Sequence, residues 1–286
     1  MRHLAMLAVP ALLALTSCSV LGPGQRMIDT DRGDVLDLET LADRIAGADV
    51  VFLGEEHDND TAHELQYALT RLLHQRRGKL ALSLEMFERD VQPRLDLYLA
   101  GVIDEDDFLE HARPWPNYAE HYRPGVEYAR ANGLAVLAAN VPRYLAARVA
   151  RRGLPSVAGD PWTAAQVDDY PGEYRDRIDA LMGSHGDTRK EVDKRRFFGA
   201  QCVKDDTMAE SIANYMSANA DDDPLVVHWC GRFHSDHRLG TVERLAARMP
   251  HLKIVVISAV STGNVSRGLT QDEVESADYI WLVPRM

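Results

Sequence analysis

Histidines and carboxylates collect where the apolar runs of this sequence stop. The run Asp49–Leu53 ends at Gly54 and is followed by Glu55, Glu56, His57, Asp58 and Asn59, with His63 shortly after. A second run, beginning at Lys79, leads to Glu85 and Met86. A third, Leu134–Asn140, leads through Pro142 to Arg143. A fourth, Leu225–Trp229, carries His228 and continues through Gly231 and Arg232 to His234 and His237. Imidazole and carboxylate are the side chains that move protons near neutral pH. A set of His57, Glu85 and His234 would also suit zinc, manganese or iron as a divalent-metal site. Glu55 or Glu56 could then activate water.

Each of these residues also has a plain structural use. Acids after the first run favour a helix start, with Asp60 or Thr61 as N-cap and Asp58 the purest capping residue. A carboxylate leaving an apolar strand needs a partner, and Arg143 is available to Glu85. His234 and His237 are three apart and could share a helix face or stand at a solvated helix start. Gly54 and Gly231 serve as turn glycines. The chain lacks His-Glu-x-x-His, a Cys-x-x-Cys pair, a Gly-rich phosphate loop, a Gly-x-Ser-x-Gly elbow and a Cys-x-x-Cys-His haem attachment signature.

These groups are positioned by runs that read as strands. The runs are apolar on both faces and alternate with helical segments, such as Thr61–Gln75 with Leu65, Leu69, Leu72 and Leu73 on one stripe. That pattern predicts an α/β fold, a mostly parallel sheet flanked by helices. Two stretches without strands, about 90–125 and 145–220, predict a smaller helical subdomain inserted between strands. In open sheets of this kind ligands sit outside the carboxyl ends of the strands, where Glu55, Glu56, His57, Glu85, Asn140, Arg143, His228, His234 and His237 would meet.

The start of the chain reads as an export signal. Arg2 precedes the apolar run Leu4–Leu15, and Leu15-Thr16-Ser17-Cys18 follows. This resembles the bacterial lipobox, with residues 1–17 removed and Cys18 acylated. Ser19 after the cysteine resembles the outer-membrane-sorted pattern. Residues 18–33 read as a tether and residues 34–284 as the folded domain. The net charge of −12 argues against a nucleic-acid partner. Besides Cys18 only Cys202 and Cys230 remain; they could pair, and Cys230, ending an apolar run, suits a buried thiol.

The segments Val51-Phe-Leu-Gly-Glu-Glu-His-Asp-Asn, Leu84-Glu-Met-Phe, Tyr122-Arg-Pro-Gly-Val-Glu-Tyr-Ala-Arg, Leu137-Ala-Ala-Asn-Val-Pro-Arg and Gln201 to Ala209 are similar to those of the ChaN-like iron-regulated lipoproteins. Gly54–His57 and Gly231–His234 resemble the two elements joining that family to Tiki proteases and erythromycin esterases. The resemblance implies an α/β domain with a smaller helical domain, and haem binding in iron uptake at the outer membrane. It further implies haems held between two subunits of a homodimer, a tyrosine phenolate on ferric iron, a histidine near the propionates and an outer-membrane haem receptor as partner. Tyr122 is the haem-pocket tyrosine candidate, with Tyr118, Tyr144, Tyr170 and Tyr174 in the same helical region. The alternative function is a metal-dependent hydrolase using the strand-end site. Gly231-Arg-Phe-His-Ser-Asp-His is richer in histidine than the family pattern.

Overall fold

The apolar runs become the strands of one sheet. The structure, a computed structural model, describes residues 24–170, 172–184 and 190–285. The signal segment 1–17 and Cys18 lie outside the described residues. The strands are β1 (Arg26–Asp29), β2 (Val35–Leu36), β3 (Val50–Glu55), β4 (Leu80–Glu88), β5 (Ala135–Asn140), β6 (Leu225–Gly231), β7 (Ile254–Thr262) and β8 (Tyr279–Pro284). They form an eight-stranded sheet in the order β2-β1-β8-β7-β3-β6-β4-β5. β3 to β8 run parallel, and β1 is antiparallel to both β2 and β8. Every residue of β3 and of β6 is buried, which is why these runs are apolar on both faces. The predicted tether extends too far: residues 26–29 form a strand because Met27 and Ile28 bury their side chains and the backbone pairs with β8.

Helices cover both faces. The helices α1 (Leu38–Ile45), α2 (Asp60–Arg77), α3 (Gln92–Leu99), α4 (Glu105–Ala112) and α5 (Arg123–Ala131) lie on one side. Their Leu41, Leu69, Leu95, Phe108 and Val126 share a core with Leu53, Leu82 and Trp229 of the sheet. Then come α6 (Arg143–Arg152), α7 (Glu173–Ser184), α8 (Glu191–Ala218), α9 (Thr241–Arg248) and α10 (Gln271–Ser276). On the second face Ala209, Ile212 and Met216 of α8 and Leu245 of α9 pack on Phe52, Val226 and Val256. The stretch around 90–125 therefore belongs to the covering layer of the sheet. Only α6, α7 and the first half of α8 build small cores of their own, around Leu145 and Val203 and around Tyr174 and Phe198.

Local chemistry sets the boundaries. The cap of α2 is Asn59, not Asp58, Asp60 or Thr61: its side chain accepts from the Ala62 N–H at 3.0 Å. The same side chain donates to Ser261 and to the Pro284 carbonyl, tying the helix start to β7 and β8. Among the described residues no helix is long and apolar enough to cross a membrane.

Gly125 of α5 sits against the buried Trp229 ring, where a Cβ would lie 2.6 Å from Cη2. Trp229 is fully buried, so it has little room to give. Gly125→Ala is expected to destabilise the protein by about 1–3 kcal/mol through overpacking, read as a lower urea midpoint at unchanged m-value. An unchanged midpoint would contradict this packing.

Candidate functional site

The strand ends of β3, β4 and β6 bring Glu55, His57, Glu85 and His234 together. Glu55, the last residue of β3, is 1% exposed and its carboxylate is filled with donors. One oxygen accepts from His57 Nδ1 at 2.8 Å and from the Tyr122 hydroxyl at 2.6 Å; the other accepts from Gln66 Nε2 at 2.8 Å. His63 Nδ1 stands 3.5 Å from that second oxygen. Because the carboxylate must accept, the His57 proton sits on Nδ1 and the Nε2 lone pair is left over. The His57 side chain is 46% exposed, so this imidazole is the accessible tip of a buried assembly. Trp115 meets its ring edge-on at 4.8 Å, and Asn117 donates to its carbonyl at 2.9 Å. Burial pulls the His57 pKa down, but the Glu55 hydrogen bond and the Glu85 charge outweigh it, so the net shift is upward.

Glu85 sits where the register between β4 and β5 shifts, between Leu84 and Glu88. It accepts from the Gly231 N–H at 2.8 Å and faces His234 Nε2 at 3.3 Å. His234 Nδ1 is 2.7 Å from Asp205 of α8. Both ring nitrogens thus face carboxylates. Burial alone would keep the ring neutral; the charges of Glu85 and Asp205 override it and raise the pKa to about 10. Burial works against the Glu85 anion as well, yet His234 holds its carboxyl far below the ordinary range.

The His234 shift has a direct consequence. The folded pKa of about 10 lies above the unfolded value of about 6.5. The stabilisation it represents is complete below the unfolded pKa and is lost as pH rises through the folded one. The thermal midpoint is expected to fall as pH is raised from about 7 to about 10, and to fall less in His234→Gln. Parallel profiles for the two proteins would contradict this assignment.

Gly54 and Gly231 are not positive-φ turn residues. Both are needed for close approach. A Cβ at Gly231 would lie 2.8 Å from the His57 ring, and one at Gly54 would lie 2.9 Å from the Arg232 Cα. The other sequence candidates fall outside the cluster. Asn140 donates to the Glu85 carbonyl at 3.0 Å and accepts from Val141 N, so it shapes backbone. Arg143 does not pair with Glu85; it is exposed and lies 3.8 Å from Glu88, the buried last residue of β4, which also pairs with Arg113. Glu56 accepts from Ser261 N and lies 3.7 Å from Arg232.

His228 is a core histidine, packed edge-on to Phe52 and bonded to Ser83, and burial pushes its pKa down to about 4. His237 does not share a face with His234. Its backbone turns left-handed, at φ +58°, and its ring faces Asp272 at 3.5 Å. Cys202 and Cys230 are separate buried thiols.

Sequence reasoning missed Asp205, Gln66 and the second role of Tyr122. Tyr122 is fully buried with its hydroxyl on Glu55, and burial together with that charge lifts its pKa well above the usual phenol value. Its hydroxyl is thus engaged by Glu55. Tyr174 is buried on Asp205, and Tyr118 is buried too. Of the five tyrosines named from sequence, Tyr144 (48% exposed) and Tyr170 (80% exposed) are the accessible phenols.

Tyr144 stands in the first turn of α6, just past the carboxyl end of β5, next to the exposed Arg143 and with the Arg148 guanidinium 5.9 Å from its ring centre. Burial, Asp160 and Asp90 raise its pKa, and Arg148 and Arg113 oppose that rise. Tyr170 instead lines a cavity of about 750 Å³ with Asp168, Asp169, Asp206 and Glu210.

Among the described residues no three of His, Cys, Asp or Glu are arranged to hold a metal ion. Tyr144, Arg143 and Arg148 thus place an accessible phenol beside guanidinium groups on one helix.

A family model described as haem-binding uptake, Tiki superfamily, ChaN matches residues 41–245. Among solved structures the chain is similar to a Campylobacter jejuni ChaN described by its cofacial heme binding. The TM-score is 0.70 at 16% identity, covering 92% of this chain and 98% of that one. It is also similar to the type III effector HopBA1, with a TM-score of 0.52 at 13% identity, covering 86% of this chain and 93% of that one. At such identities these are likenesses of fold. The Arabidopsis thaliana protein RETICULATA-RELATED 5, chloroplastic, is 26% identical over 125 residues, 41% of this chain; the match spans only 17% of that protein's length.

Proposed function

We propose, for a chain that belongs to the haem-binding uptake, Tiki superfamily, ChaN family, that it binds ferric haem through Tyr144 in iron uptake at the bacterial envelope. The observation that carries this reading is the pairing of an exposed phenol with guanidinium groups on α6. A phenolate is a hard anionic donor that favours ferric iron. Arg143 and Arg148 would take the propionates by charge-assisted hydrogen bonds. Tyr170 is the weaker rival, because the two guanidinium groups of its cavity, Arg244 and Arg248, are already bound to Asp206, which leaves Asp168 and Asp169 to repel propionates. Titration of the protein with ferric haem should give a saturable Soret shift that Tyr170→Phe leaves in place. The absence of any saturable shift would end this reading.

The same proposal places the protein in the envelope as a lipoprotein, acylated at Cys18 and facing the periplasm from the outer membrane. A homodimer holding haem between its subunits and an outer-membrane haem receptor complete it. Its support is the lipobox-like Leu15–Cys18 and the family. Labelled palmitate should enter the wild-type protein and not Cys18→Ser.

A second reading, acid–base hydrolysis, is supported by His57. A buried carboxylate fixes its Nδ1 proton and leaves the Nε2 lone pair of a half-exposed ring, the arrangement of a general base. A panel of esters and amides hydrolysed by wild-type protein and about 10²–10⁴-fold more slowly by His57→Ala would support it. The metal-dependent form of this reading finds no support in the donor set.

A further inference from the structure

The sequence motif running from Gln201 to Ala209 contains a carboxylate that stands behind the strand-end cluster. Asp205 lies in the middle of α8 and is completely buried. A buried aspartate in a helix interior is costly unless donors surround it. Three elements supply them: His234 Nδ1 at 2.7 Å, Thr241 Oγ1 of α9 at 2.8 Å and the Tyr174 hydroxyl of α7 at 2.6 Å. Asp206, its neighbour, faces away and binds Arg244 and Arg248 instead. So adjacent acids on one helix do different work, and only Asp205 reaches the strand-end cluster.

We propose that Asp205 is a positioning residue for His57. It occupies His234 Nδ1, which commits the opposite Nε2–H to Glu85 and holds the Glu85 carboxylate against the Gly231 N–H beside His57. His234 then acts as a fixed clamp between the two carboxylates. His234 faces Glu85 from β4 and Asp205 from α8, its charge acts on His228 of β6 and His57 of the β3–α2 connection, and Thr241 of α9 donates to Asp205. Arg244 of α9, Tyr174 of α7 and Lys204 of α8 act on its two carboxylates. The inference deepens the acid–base reading of the site and is independent of the haem reading.

Imidazole ¹⁵N spectra of the full chain test it between about pH 5.5 and 8.5, the range that brackets a free histidine. In the wild-type protein both His234 nitrogens should remain protonated throughout while His57 titrates. In Asp205→Asn, His234 should lose a proton within the range, and the His57 midpoint should rise because the repulsion of His234 is lifted. Tyr174→Phe and Thr241→Val remove the other donors to Asp205. They should lower stability without changing either histidine, which separates positioning from mere packing. An unprotonated His234 nitrogen in the wild-type spectrum would overturn the proposal, whether or not the Asp205 variant folds. An unmoved His57 midpoint in a folded Asp205→Asn would overturn it too. Neither result depends on haem or on any substrate, so a negative haem titration would leave this inference intact.

Discussion

Replacing His234 by alanine is expected to destabilise the folded protein by about 3–5 kcal/mol, the range for removing one partner of a buried ionic set. The reason lies in what remains. Glu85 is 4% exposed and Asp205 is 0% exposed, and both lose their shared cation. Gly231 N–H, Thr241 and Tyr174 would still donate to them, but none carries charge. Urea unfolding followed by tryptophan fluorescence reads the loss. The cause can be isolated by adding Glu85→Gln and Asp205→Asn to His234→Leu. Much of the stability should return, because the penalty resides in orphaned charge and not in the lost ring. A loss under about 1 kcal/mol in the single variant would mean that the three groups are not an ionic set.

Tyr144→Phe is expected to weaken ferric haem binding by on the order of 100-fold or more, since even groups behind a metal ligand are commonly worth 10–100-fold. The substitution removes one oxygen from a half-exposed ring and leaves the α6 core at Leu145 and Val149 untouched. A folding defect would therefore not explain the loss, and the thermal midpoint should match wild type. Arg143→Ala and Arg148→Ala should weaken binding less and steepen no pH profile, because the propionates are charged throughout the neutral range. Undiminished Soret titration in Tyr144→Phe, with loss in Tyr170→Phe, would move the site to the acidic cavity and overturn the electrostatic argument.

Much of this was legible before any coordinates. Runs apolar on both faces, such as Val50–Leu53 and Leu225–Trp229, fit only strands covered on both sides, and they are the centre of the sheet. Strand ends are where the chemistry met: Glu55, His57, Glu85 and His234 were all readable as residues just past such runs. What stayed hidden depends on tertiary partners. Nothing local distinguishes His228, a core residue, from His234, clamped between acids. Tyr122 reads as a free phenol until Glu55 is placed against it.

Asp205 did leave a trace. It falls on the same stripe of α8 as Cys202, Ala209 and Ile212, and a carboxylate on an apolar stripe must have a partner. The four-residue β1 was lost because its pairing partner lies at the far end of the chain.

The strand order has a consequence for how the protein comes into being. β3, which ends in Glu55, pairs only with β6 and β7, and those strands begin at Leu225 and Ile254. Its hydrogen bonds therefore wait for nearly the whole chain. Closure between such distant segments makes folding slow. β1 waits longer still, for β8 at the other terminus. A nascent chain thus holds its central strand unpaired until β6 and β7 have been made. That delay makes β6, β7 and β8, the last strands in chain order, the trigger that closes the sheet.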